Sequence, residues 1–129
     1  MKRRLTSLVL VLTLLLSLSC KKESTQNGIV GTWQHVTTIG GFQPTVTNLN
    51  LTLRFTKDKF ESELDGKIVD NGTYEITTEK SWDGDPRIVF NGKGDAFKQY
   101  VKVSGNKLII FNNAPVAVDG TEIHYIKIK

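Results

Sequence analysis

Residues 48–56 alternate with a period of two. Leu49, Leu51, Leu53 and Phe55 fall on one side, and Asn50, Thr52 and Arg54 on the other. Residues 59–64 repeat the pattern, with Phe60, Ser62 and Leu64 against Glu61 and Glu63, and so do residues 96–103, with Phe97, Gln99, Val101 and Val103 against Lys98, Tyr100 and Lys102. A strand turns successive side chains to opposite faces, so this pattern demands a sheet with one dry face and one wet face. Turn pairs punctuate the runs: Gly40-Gly41, Asp65-Gly66, Asp83-Gly84, Asn91-Gly92, Gly105-Asn106 and Asp119-Gly120. Such pairs tolerate the positive φ that tight hairpin turns require. From Gly31 onward no window holds apolar residues at helical spacing long enough to make a helix.

Eight strands are expected, over residues 32–39, 48–56, 59–64, 67–77, 87–91, 96–103, 107–112 and 122–129. Asn71-Gly72 interrupts the fourth, as a bulge that helps the sheet curl or as a second tight turn. Short antiparallel strands in hairpin succession predict an all-β fold, a single eight-stranded antiparallel up-and-down barrel over residues 29–129, because closure removes exposed edges. An eight-stranded barrel is just wide enough inside for side chains or for one small ligand.

The first nineteen residues stand apart from this pattern. Lys2, Arg3 and Arg4 precede fifteen almost wholly apolar residues, 5–19, too few to span a bilayer and typical of a cleaved signal peptide. Ser17-Leu18-Ser19-Cys20 ends the run, and the chain then turns polar. This junction resembles the lipobox of bacterial lipoproteins, which implies lipid attachment at Cys20 and cleavage before it. Cys20 is the only cysteine, so no disulfide forms within the chain. Residues 20–28 then read as a lipidated tether, and two or three acyl chains suffice for stable anchoring to a membrane. The implied location is the bilayer of a bacterial cell envelope, most naturally the outer membrane, with the domain outside the cytoplasm.

The formal charge of +4 carries little meaning for partners. Three of the seventeen Lys and Arg residues sit at positions 2–4, leaving fourteen against thirteen Asp and Glu in the mature chain. A nearly neutral domain gives no electrostatic footprint for nucleic acid, and no nucleic-acid partner is expected.

Gly31-Thr32-Trp33 opens the first strand. Glycine lets backbone cross close to the barrel base, and tryptophan fills the narrow end while its N–H seeks an acceptor. Together with Leu53-Arg54-Phe55-Thr56-Lys57-Asp58 and Gly72-Thr73-Tyr74-Glu75-Ile76, this start resembles the bacterial lipocalin-like domains. The resemblance covers about residues 29–129 and implies a binding barrel. Unlike larger lipocalins, the chain has no arginine in its last strand to stack on Trp33.

Uninterrupted alternation puts Trp33, His35, Thr37, Leu51, Leu53, Phe55, Phe60, Tyr74, Phe97, Gln99 and Val101 on the inner face. A mostly apolar wall with a few polar groups describes a small-molecule pocket, and equally a filled core. His35 and His124 fall on strands that closure would make neighbours, but no third ligand has metal-site spacing. No nucleophile elbow or phosphate loop is present, so neither catalytic residues nor a cofactor are expected. The expected function is binding of a small hydrophobic or amphipathic molecule without catalysis. The alternative is a packed barrel whose loops, 40–47, 78–86 and 113–120, contact an envelope protein or glycan. Trp82 in the middle loop suits such a contact, or a lid over the mouth. Cys20→Ser is expected to abolish lipid labelling and release the chain from membranes; labelling that persists would overturn the lipobox reading.

Overall fold

The computed structural model describes residues 25–41, 44–91, 98–112, 116 and 120–129. Cys20, the apolar leader and Phe97 lie outside them. A short helix, α1 (Thr25–Ile29), leads into nine strands: β1 (Gly31–Gly40), β2 (Val46–Thr47), β3 (Leu51–Phe55), β4 (Lys59–Leu64), β5 (Lys67–Lys80), β6 (Pro86–Phe90), β7 (Gln99–Ser104), β8 (Lys107–Asn112) and β9 (Thr121–Lys127). Each strand from β3 onward pairs antiparallel with the next, and β1 pairs with both β3 and β9. Eight strands therefore close into an up-and-down antiparallel barrel, with the two-residue β2 as an addition on β1.

β1 carries the closure. Its first half pairs with β3, its second half with β2, and its other edge with β9. A single strand over 48–56 does not form: Asn48 takes a positive φ of 53°, and the chain leaves the ladder until Leu51. Leu49 is exposed there despite its apolar phase. Gln34 bridges the gap, its Nε2 donating to the carbonyls of Leu49 and Leu51 at 3.0 and 3.1 Å. Asn48 N–H meanwhile donates to the Val36 carbonyl at 2.9 Å.

The register of β1 against β9 shifts between His35 and Thr37, which makes Val36 a bulge. A bulge adds local twist and reverses the faces of the residues beyond it. A second irregularity lies in β5 at Val69, between the pairs Ser62–Asp70 and Glu63–Ile68. Gly72 is not a turn; it stays paired with Phe60, and β5 runs on to Lys80. A Cβ on Gly72 would collide with the Asn91 side chain, whose Oδ1 accepts the Thr73 N–H at 3.0 Å. This close approach is why glycine stands there.

One end of the barrel is plugged. Residues 25–28, expected as tether, belong to α1, which packs across this end with Ile29 fully buried. Trp33 Nε1 donates to the Ile29 carbonyl at 2.7 Å, and Gln26 Nε2 to the Lys57 carbonyl at 2.8 Å. Lys127 Nζ stands 5.4 Å from the Trp33 ring centroid, so a lysine covers the tryptophan where no arginine exists. At Gly31, φ is +141° and a Cβ would lie 2.6 Å from the Lys129 carbonyl oxygen, as expected of a strand crossing the base. Phe55, Tyr74, Ile88, Val101 and Leu108 fill the space above Trp33. Trp33→Ala is expected to cost about 3–5 kcal/mol in urea unfolding, the range for emptying a packed aromatic site. Trp33→Phe, losing chiefly the Ile29 bond, should cost about 1–3 kcal/mol.

Candidate functional site

Above the plug the interior opens. A cavity of about 280 Å³ is lined by Leu53, Phe60, Ser62, Asp70, Phe90, Gln99, Ile110, Ile123 and Tyr125. Filled core and pocket are thus both present, stacked along the barrel axis. The hollow half lies toward the ends of β1, β4 and β8, where Gly41 N–H donates to the Gly120 carbonyl at 3.0 Å.

Strand phase explains each lining residue. Leu53 pairs with Ser62, and Ser62 with Asp70, so these three share the inner face. Phe60 and Phe90 meet edge to face with centroids 4.7 Å apart. Ile110 pairs with Ile123, and Gln99 brings an amide from the start of β7. Tyr125 stands across from His35 at 6.0 Å between centroids, and burial pushes its phenol up to about 12.

Leu53, Phe60 and Gln99 line the cavity where alternation puts them. Trp33, Phe55, Tyr74 and Val101 are inward but belong to the plug or the core above it. The Tyr74 hydroxyl donates to the Thr56 carbonyl at 2.5 Å, far from any ligand position in the mouth. Leu51 is half-buried and pairs with Leu64 on the inner face, outside the cavity wall. Thr37 requires a correction: beyond the Val36 bulge it pairs with His124, and Thr38 instead pairs with the inner Ile123. His35 Nε2 and Thr38 Oγ1 accordingly lie 2.8 Å apart. His124 faces the other side and contacts Glu122 at 2.9 Å, so the two imidazoles do not converge. Among the described residues no three His, Cys, Asp or Glu side chains could hold a metal.

Alternation also carries residues not singled out from sequence. Ser62 shares the phase of Phe60, and Ile123 and Tyr125 share a phase in the last strand, so their signal was available. Asp70 had one too, since it shares the phase of Gly72 and Tyr74 with no shift between them; the Val69 bulge reverses only the residues before it.

Trp82 is 58% exposed, in the turn between β5 and β6. Antiparallel pairing of β6 with β7 sends this turn to the plugged end, beside the β7–β8 turn. Trp82 is therefore no lid over the mouth, and its loop is separated by the barrel's length from loop 40–47. The turn is built around Ser81, whose Oγ accepts the N–H groups of Asp83 and Asp85 at 3.2 and 3.1 Å. Lys102 lies 3.3 Å from Asp83 and 3.9 Å from Asp85. On the outer wall Glu79 receives Lys98 at 2.6 Å and Arg87 at 2.9 Å, and these bonds lower its carboxyl to about 2. A larger hollow, of about 430 Å³, lies over Arg54, Glu61 and Asn71 on the outer face.

Compared with family models, curated proteins and solved structures, the chain finds no match. The barrel's own chemistry must therefore carry the functional reading.

Burial lowers the pKa of His35, and its Nδ1 is buried without a hydrogen-bond partner among the described residues. The unfolded chain then binds more protons than the folded one as pH falls below about 6.5, so stability declines there. His35→Gln is expected to flatten this decline in denaturant titrations between pH 7 and 5. Parallel curves for the two proteins would instead mean that the imidazole protonates freely in the fold.

Proposed function

We propose that this protein is a lipid-anchored, lipocalin-like barrel of the bacterial cell envelope that binds a small amphipathic molecule without catalysis. One observation carries the binding part: a hollow of about 280 Å³ on the inner face joins an apolar wall to a few polar groups. Six lining residues present hydrocarbon or aromatic surface, and Ser62, Asp70 and Gln99 add hydrogen-bonding groups. That mixture is the usual chemistry of ligand pockets. The volume of about 280 Å³ limits the guest. It sits at the small end of ligand pockets, which favours a compact molecule over a long acyl chain or a retinoid.

The lipocalin-like reading gains support from the plugged end, where Gly31, Trp33 and the covering Lys127 meet beneath a short N-terminal helix. The anchoring reading has a geometric consequence. Thr25 begins α1 at this end, and a five-residue step back to Cys20 reaches at most ~18 Å. A lipid on Cys20 would hold the plug toward the bilayer and turn the mouth away from it. Ligand would then enter from the aqueous side.

The full chain, reconstituted in lipid nanodiscs, is expected to bind the neutral dye N-phenyl-1-naphthylamine with enhanced fluorescence. Ser62→Phe, which fills the cavity, should weaken this about tenfold, while Glu61→Ala in the outer hollow should leave it unchanged. Equal affinity in wild type and Ser62→Phe would refute the cavity as the binding site.

A further inference from the structure

We infer that the cavity selects organic cations, above all small primary or secondary ammonium compounds with an apolar body, over anionic amphiphiles such as carboxylates. The inference rests on the cavity reading above and names the ligand class for that site.

Charge carries the argument. Asp70 is the only Asp, Glu, Lys or Arg among the nine described lining residues. It is exposed toward the mouth and makes no hydrogen bond or ion pair among the described residues. The basic side chains that form ion pairs do so on other faces: Arg54 with Glu61, Arg87 and Lys98 with Glu79, Lys102 with Asp83 and Asp85. His35, the histidine of the inner face, is buried and engaged with Thr38. Among the described lining residues a carboxylate ligand would therefore meet a like charge and no cation. An ammonium group would find a carboxylate acceptor beside the Ser62 hydroxyl and the Gln99 amide oxygen.

The wall acts in the same direction. Phe60, Phe90 and Tyr125 supply three aromatic rings to a small space. Ring faces attract a cation, and the attraction grows as water is excluded. Leu53, Ile110 and Ile123 then receive the apolar body. Aromatic rings with one carboxylate at the rim form a set that complements a charged amine head on a short apolar body.

Three probes of nearly equal shape separate charge from size: 3-phenylpropylammonium, 3-phenylpropanol and 3-phenylpropanoate, each displacing the dye from the full chain in nanodiscs. The ammonium compound is expected to compete at least tenfold better than the carboxylate, with the alcohol between them. Asp70→Asn, at an exposed position where melting should not change, is expected to bring all three within about twofold. A carboxylate that competes as well as the ammonium compound in the wild type would overturn the inference. So would an ammonium preference that survives Asp70→Asn. If none of the probes displaces a dye whose binding is Ser62-dependent, the ligand class is wrong while the cavity site stands. Dye and probe binding both indifferent to Ser62→Phe would remove the site itself.

Discussion

The pairing of β1 with β9 is the interaction on which the rest of this molecule depends. Seven residues of β1 find partners on β9, and without them the sheet would present two open edges. The pairing also brings Lys127 over Trp33 and Tyr125 against His35, joining the chain's beginning to its end. β1 is long because it serves three neighbours, and it can do so only by bending. The Val36 bulge supplies the bend, and the break at Asn48 lets β2 and β3 share one edge of β1 in turn.

Closure divides the interior into two parts with different roles. At the plugged end Trp33, Phe55, Tyr74 and Leu108 belong to one buried cluster, and α1 covers the base. At the other end smaller or polar side chains leave room. Ser62 and Asp70 occupy inner positions where Leu or Phe would have completed the core. Filling a cavity lined by apolar atoms normally stabilises a protein, so the polar groups at these positions come at a cost in packing. The exterior Glu79–Arg87–Lys98 cluster ties β5 to β6 and the start of β7 from outside, and no basic residue is among the described residues lining the hollow.

The alternating runs at 51–55, 59–64 and 99–103 were legible because each pairs without a shift against its hairpin partner. Leu53, Phe60 and Gln99 therefore fell correctly on the cavity wall, and Trp33 on the plug. Thr37 did not, because one unpaired residue before it reverses its face. Trp82 reads as a loop aromatic from sequence, but which end of the barrel carries its loop is a matter of strand direction. Leu49 has the right phase for the core but stays 38% exposed, since the ladder breaks around it.

By itself the sequence determined the sheet, the number of barrel strands and the residue that plugs the base, because side-chain period, turn chemistry and a glycine beside a tryptophan are local signals. Tertiary structure decided the site. Bulges at Val36 and Val69 arise from fitting a twisted sheet onto itself, a condition that involves strands far apart in the chain. The first moved Thr37 off the inner face, the second reversed Ile68 and Lys67 relative to Asp70, and the hollow beside Asp70 exists only once the barrel is closed.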